Sequence, residues 1–172
     1  MVPGRERLDY GAPFSRMLWM ISILATGLLI LIPILGFVSL PARAPGIGRV
    51  LLTLVPLLIL AGALPFMIRG YRIEPHRLLI RRLGWSTRVS LDELESADVN
   101  PTAMKYSLRL MGNGGLFSFT GLYWNRRLGR YRAFVTDPSR TVVLKFRDRT
   151  VLVSPDSPDD FARVLRTVGS RA

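Results

Sequence analysis

The segment GLYWNRRLGRYRAFVTD, from Gly121 to Asp137, places four aromatic residues among four arginines and has no acidic residue before its last position. Arginine attracts lipid phosphates, and Trp and Tyr side chains favour the headgroup region of a bilayer. Alternation along a strand offers a simpler interpretation, in which Arg130 and Arg132 form a solvated face opposite Tyr131. The candidates for binding lipid or a partner are Tyr123, Trp124, Arg126, Arg127, Arg130 and Arg132.

Residues that could support catalysis or bind a metal are sparse. The chain has no cysteine and a single histidine, His76, which excludes disulfides, cysteine nucleophiles and sites that need two imidazoles. Asp156, Asp159 and Asp160 match no calcium-loop spacing and are explained as the start of a helix. We therefore expect no metal, no cofactor and no enzymatic activity.

Two long uncharged segments precede the rest of the chain. Residues Met17–Leu40 exceed the roughly 20 residues that a helix needs to cross the hydrocarbon core, and Val50–Ile68 come close to that length. A cleaved signal peptide is an alternative for the first segment, but its apolar region is too long and Pro45 follows the small-residue site. The sequence therefore predicts a transmembrane hairpin, residues 17–68, that acts as a plain anchor because neither of its two apolar segments contains an ionisable residue.

Basic residues flank this hairpin unequally. The connection between the two segments carries Arg43 and Arg49, whereas the tail of residues 1–16 and the segment after Ile68 are richer in arginine. The positive-inside rule then places both termini in the cytoplasm and the short connection on the other side of the membrane. The juxtamembrane basic residues are Arg69 and Arg72, and the part from residue 69 onward carries 19 Lys and Arg against 10 Asp and Glu.

From residue 69 the apolar pattern changes to a period of about two, which predicts half-buried antiparallel strands. The faces predicted to be buried are Tyr106/Leu108/Leu110, Tyr131/Ala133/Val135 and Val142/Leu144/Phe146. The GNGG segment, Gly112–Gly115, interrupts the alternation and predicts a hairpin turn. A phosphate-binding loop is less favoured, because the Lys-Ser/Thr of such a loop is absent. The closing SPDDFARVLRTV predicts a helix whose apolar face is Phe161, Val164, Leu165 and Val168.

Strands in series closed by one amphipathic helix are the order of elements in a pleckstrin-homology (PH) fold. The region Tyr71–Val168 resembles the bacterial PH-like domains that follow a pair of membrane spans. The resemblance is carried by YRIEPHRLLIRRLGWSTRVSLDELESADV, GNGGLFSFTG, LGRYRAFVTD and VLVSPDSPDDFARVL. It implies an α+β cytoplasmic domain, residues 69–172, with a partly open antiparallel β-barrel or sandwich capped by a C-terminal α-helix and without catalytic activity. The tight turn at Glu74–His76 departs from the long basic loop with which PH domains bind phosphoinositides.

The functional hypothesis from the sequence is a membrane-anchored adaptor or assembly module that binds a protein partner or anionic lipid headgroups. The alternative is a module for peptide binding or oligomerisation that uses an exposed strand edge and has no lipid specificity. Nucleic acid is a less favoured partner, because the basic residues are spread along the chain and no binding motif is present.

Overall fold

The two apolar segments form helices in the computed structural model, which describes residues 8–39 and 46–169. The first helix, α1, is Arg16–Ser39, and the second, α2, is Gly46–Ala63, followed by a 3₁₀ turn at Leu64–Phe66. Both helices are long and apolar enough to cross a membrane, and only about 6% of the residues in each span are buried.

The second helix differs from the predicted segment at both ends. It starts at Gly46, so Arg49 lies inside it, and it stops before Ile68, which already belongs to a strand. Pro65 contributes to this end because a proline disfavours the α conformation in the residue before it. The residues Arg5, Arg7 and Arg43, on which the predicted orientation partly depends, lie outside the described residues.

Two sheets follow the helical hairpin. The first has the order β1-β2-β3-β4 and consists of β1 (Asp9–Gly11), β2 (Ile68–Glu74), β3 (Arg77–Arg82) and β4 (Ser86–Ser90). The second has the order β5-β9-β10-β8-β7-β6 and consists of β5 (Leu94–Val99), β6 (Leu108–Gly114), β7 (Phe119–Asn125), β8 (Gly129–Val135), β9 (Val142–Phe146) and β10 (Thr150–Val153). The β8–β10 pair is parallel, because the β9–β10 hairpin folds back and inserts β10 between β9 and β8; the sequence predicts antiparallel strands only.

The helix α3 (Pro158–Gly169) closes the domain and buries the predicted apolar face, with Phe161, Val164 and Leu165 in the core. Strand β9 lies inside its sheet and is buried on both sides. Its residues Val142, Leu144 and Phe146 face α3 and the first sheet, while Val143 faces a second cluster with Tyr131, Ala133 and Val135. The predicted α+β architecture, two sheets capped by the last helix, is therefore confirmed.

Strand β6 corrects two predictions. It begins at Leu108, and both Leu108 and Leu110 are exposed because β6 is the edge of its sheet; Tyr106 precedes it in a turn and is 96% exposed. The GNGG segment is mostly strand rather than turn, since the chain reverses at residues 115–118. Gly112 and Gly121 pair across β6 and β7 with φ of +108° and +138°, and a Cβ on either would meet the opposite backbone.

Strand β1 was not expected from the sequence, which predicts residues 1–16 to be a tail. It pairs with β2, so that Tyr10 lies opposite Tyr71 and Gly11 opposite Gly70. Tyr10 is only 3% exposed, and its ring meets that of Phe161 edge-to-face with centroids 4.9 Å apart. The segment before α1 is therefore part of the domain that follows α2.

Replacing Tyr10 by Ala is expected to destabilise the domain by about 3 kcal/mol or more, because it leaves a cavity against α3 and removes the 2.8 Å hydrogen bond from Tyr10 Oη to Asp160 Oδ2. The free energy of unfolding in urea, measured on the full chain in neutral detergent, tests this. Tyr106→Ala is the matched control and should change stability by less than about 0.5 kcal/mol. Equal effects of the two substitutions would contradict the structural role of β1.

Candidate functional site

The face of β6, β7 and β8 that carries the predicted arginines is exposed. Strand pairing sets Trp124 opposite Arg130 and Leu122 opposite Arg132, and β6 adds Leu108 beside Trp124 and Met111 beside Leu122. Cross-strand partners share a face, so cations and apolar groups are mixed on one surface. We call it the basic–apolar face; its residues are Leu108, Met111, Leu122, Trp124, Arg130 and Arg132.

Tyr123 is not part of this surface, which corrects its selection as a candidate. It points to the opposite side of β7, is 5% exposed, and stacks on Tyr131 with ring centroids 6.0 Å apart. Its hydroxyl donates to the backbone oxygen of Asn113 at 3.0 Å, and burial raises its pKa. Tyr123 therefore packs the second core cluster and cannot contact a ligand on the basic–apolar face.

Arg126 and Arg127 lie in the turn between β7 and β8 and are exposed. Buried Asn125 shapes this turn, because its side-chain oxygen accepts from the backbone nitrogens of Arg127 and Leu128 at 3.0 and 2.8 Å. The strands run about 20 Å from this turn to the other end of the hairpin. The six candidates are thus divided among the core, the exposed face and a distant turn.

The other end of the β6–β7 hairpin contacts the helices. The backbone nitrogen of Phe117 donates to Ser22 Oγ of α1 at 3.0 Å, and Ser118 Oγ donates to the carbonyl oxygen of Phe66, just after α2, at 3.2 Å. Trp85, between β3 and β4, donates through Nε1 to the carbonyl oxygen of Pro65 at 3.0 Å. We call this region the junction; its hydrogen bonds fix the domain against both helices.

The two predicted juxtamembrane arginines differ in their surroundings. Arg72 forms a two-pronged ion pair with Asp9 of β1, with nitrogen–oxygen distances of 2.6 and 2.9 Å, and this contact lowers the pKa of the Asp9 carboxyl. Arg69 is exposed and forms no ion pair with the described part of the chain. Of these two arginines, Arg69 is the one whose charge is not compensated by a carboxylate in the described part of the chain.

A cavity of about 600 Å³ lies at the junction, between the end of α2, the first sheet and the basic–apolar face. Its cationic lining consists of Arg82 and Arg132, and no acidic residue lines it. The other lining residues are Gly62, Ala63, Phe66, Trp85, Thr87, Met111, Gly112, Asn113, Leu116, Thr120, Gly121, Leu122 and Phe134.

Arg82 lines this cavity and was not among the candidate residues selected from the sequence. It is 6% exposed; its Nε donates to Thr87 Oγ1 at 3.1 Å and its Nη1 donates to the Phe66 carbonyl oxygen at 2.9 Å. Burial, and to a lesser extent the positive charge of Arg132, lowers its pKa. A signal was available, because Arg82 follows Leu78 and Ile80 at the inward positions of β3, where a cation is unusual.

Metal ligands are not gathered at any place within residues 8–39 and 46–169, where no group of three or more His, Cys, Asp or Glu side chains is arranged to hold an ion. His76 lies in the exposed turn between β2 and β3 and has Asp92 as its neighbour, 3.9 Å away.

Two sheets closed by one C-terminal helix define the PH-like class of folds. A family described as Bacterial PH domain matches residues 69–168, more than half of the chain, and the chain belongs to this family. The predicted resemblance is thereby confirmed. No curated protein and no solved structure matches the chain.

Tyr71 supports the cavity wall from inside the core. Its hydroxyl donates to the carbonyl oxygen of Phe134 at 2.7 Å and accepts from the backbone nitrogen of Ser154 at 3.1 Å. Burial raises the pKa of Tyr71 to about 12. Because the neutral phenol is favoured in the folded state, its proton is held more tightly there than in the unfolded chain.

The contribution of Tyr71 to stability should therefore be constant below pH ~10, where both states are protonated, and should be lost as pH rises from ~10 to about 12, by roughly 3 kcal/mol, because only the unfolded state loses the proton in this range. Urea unfolding of the full chain in detergent across this range measures the decline. Tyr71→Phe should be less stable at neutral pH but should show a shallower decline, retaining the part due to Tyr123 and Tyr131. An unchanged decline in the Phe variant would reject this role.

Proposed function

We propose that the protein is a non-enzymatic PH-domain adaptor, held by two membrane spans at the cytoplasmic face of a bacterial inner membrane, where it binds anionic lipid headgroups or a protein partner. The observation that carries the proposal is the junction. Strand β2 starts two residues after the 3₁₀ turn that follows α2, and the loop between β6 and β7 is hydrogen-bonded to α1. A domain fixed in this way cannot move away from the bilayer that contains the helices.

The pairing of β1 with β2 supports a topology with both ends on one side. Residues before α1 and residues after α2 share a sheet, and two helices that cross the membrane as a hairpin agree with this pairing. The larger number of arginines on that side agrees with a cytoplasmic location. The same pairing argues against removal of α1 as a signal peptide, since cleavage would take Tyr10 out of the core.

Distance decides which arginines contribute most to lipid binding. Charge interactions are screened over about 8–10 Å at physiological ionic strength. Arg132 lines the junction cavity, whereas Arg126 and Arg127 lie at the far end of a hairpin about 20 Å long. We therefore assign lipid contact to the junction end of the basic–apolar face and leave the distant turn available to a protein partner.

A spin label can test this assignment, because the chain has no cysteine and Met111→Cys would be the only thiol. In nanodiscs of phosphatidylcholine, added phosphatidylglycerol should draw the basic–apolar face toward the bilayer and reduce collisions of the label with a water-soluble relaxation agent. The change should disappear at high salt and in the Arg130→Gln/Arg132→Gln variant. Each basic group near an anionic surface contributes about 1 kcal/mol, so the effect of two charges is measurable.

The matched control is Arg126→Gln/Arg127→Gln, which removes the same charge from the same hairpin and should leave most of the response. A label that does not respond to phosphatidylglycerol even at low salt would reject lipid contact by this face. Equal losses in the two double variants would reject the assignment to the junction end.

A second candidate function is self-association through the edge of β6. This strand has a free edge and exposes Leu108, Leu110 and Met111, whereas α3 packs on β5 at the other edge of the sheet. Unpaired strand edges pair readily with other strands, and charged residues on an edge prevent this.

If β6 serves this function, the full chain should dimerise in neutral detergent, and Leu108→Lys/Leu110→Lys should weaken dimerisation by about tenfold or more, because two like charges would meet across the interface. Sedimentation equilibrium over a range of protein concentrations measures this. Tyr106→Lys, just before the strand, is the control. A chain that stays monomeric would exclude the candidate.

A further inference from the structure

The junction cavity brings two cations to a largely apolar space, and the role of Arg82 there is not explained by packing alone. A buried charge is costly unless it is paired. Within residues 8–39 and 46–169, neither Arg82 nor Arg132 forms an ion pair with a carboxylate. Arg82 is stabilised only by neutral groups, namely a hydroxyl, a carbonyl and aromatic rings.

The aromatic rings hold the guanidinium of Arg82 in place. Its central carbon lies 4.8 Å from the ring centroid of Trp85, 5.5 Å from that of Phe134 and 5.6 Å from that of Phe66. The guanidinium of Arg132 also lies over Phe134, at 5.8 Å. Two guanidinium groups are thus held beside the same ring, and an anion between them would reduce their mutual repulsion.

The remaining walls suit hydrocarbon. Leu116, Leu122 and Met111 line the cavity from the β6–β7 hairpin, and Phe66 lines it from the segment that follows α2. Its volume of about 600 Å³ is within the range of sites for single small molecules, roughly 300–1,000 Å³. Cations at one place and apolar walls around them are complementary to an amphiphile with a phosphate group.

We propose that the cavity binds one anionic phospholipid, with its phosphate between Arg82 and Arg132 and its glycerol and upper acyl segment against the apolar walls. The proposal rests on the proposed function in one respect, since a hairpin that spans the membrane sets the end of α2 at the depth of the headgroups. Arginine is also well suited to bind phosphate, through paired N–H donors. The site lies apart from the Glu74–His76 turn between β2 and β3.

Intrinsic fluorescence can report occupancy, because Trp85 lines the cavity. The full chain carrying Trp19→Phe and Trp124→Phe retains this single tryptophan and is studied in neutral detergent. It is titrated with dihexanoyl phosphatidylglycerol, with dihexanoylglycerol, which has the same chains and no phosphate, and with inorganic phosphate. Soluble lipid requires no bilayer, so this measurement can succeed or fail independently of the nanodisc experiment.

Only dihexanoyl phosphatidylglycerol is expected to give a saturable change. Arg132→Gln should weaken its binding by about tenfold or more, because a charge-assisted hydrogen bond is lost. Arg126→Gln is the matched control, an exposed arginine in the distant turn between β7 and β8 that does not line the cavity, and should alter the affinity by less than about twofold. Arg82→Lys keeps the charge and should also weaken binding, with the urea midpoint as a check that the domain is folded.

Four outcomes would overturn the proposal. No saturable binding of the phospholipid would exclude the site, and equal binding of dihexanoylglycerol would show that the phosphate is not recognised. Tight saturation by inorganic phosphate alone would make the ligand a soluble anion. Equal losses from Arg132→Gln and Arg126→Gln would indicate general surface charge rather than the cavity.

Discussion

The antiparallel pairing of residues 9–11 with residues 70–72 is the constraint on which the rest of the structure depends. It joins the segment before α1 to the segment after α2, so the ends of both helices are held at one place. The Arg72–Asp9 ion pair lies beside this pairing but is about half exposed, and exposed ion pairs contribute little to stability because solvent screens them. The backbone hydrogen bonds and the burial of Tyr10 are therefore the stronger contributions.

Holding the helix ends in place also builds the junction. The carbonyl oxygens of Pro65 and Phe66, which an α-helix would have used internally, accept instead from Trp85, Arg82 and Ser118. The 3₁₀ turn after α2 therefore supplies acceptors to the domain and one wall to the cavity. Arg82 belongs to both features, because the same guanidinium donates to the Phe66 carbonyl oxygen at the end of the hairpin and faces the cavity. A displacement of α2 would change both contacts at once.

Local periodicity predicts the features of this fold that depend on spacing within a single helix or strand. The helix face of Phe161, Val164 and Leu165 and the strand face of Val142, Leu144 and Phe146 follow from spacing alone. Strand β1 escapes prediction because three residues are too few to show a period. The sequence shows glycine at Gly112 and Gly121 but does not show why it is needed there. A turn and a close approach of two backbones both favour glycine, so the residue type alone does not distinguish them.

The candidate site was predictable only in part, for a related reason. Alternation separates Tyr123 from Trp124, yet it does not reveal which of the two faces the core; pairing with Tyr131 and Arg130 decides this. Arg82 acquires its environment from Phe66, Trp85 and Phe134, which belong to three separate elements.

Strand β1 has a further consequence for biosynthesis, since it is made before either helix and its partner β2 after both. In the proposed topology, the sheet can close only when both helices have crossed the bilayer, because a chain inserted by one helix alone would leave Tyr10 across the bilayer from Phe161. The incomplete domain would then expose core residues to proteases, linking correct topology to survival of the chain.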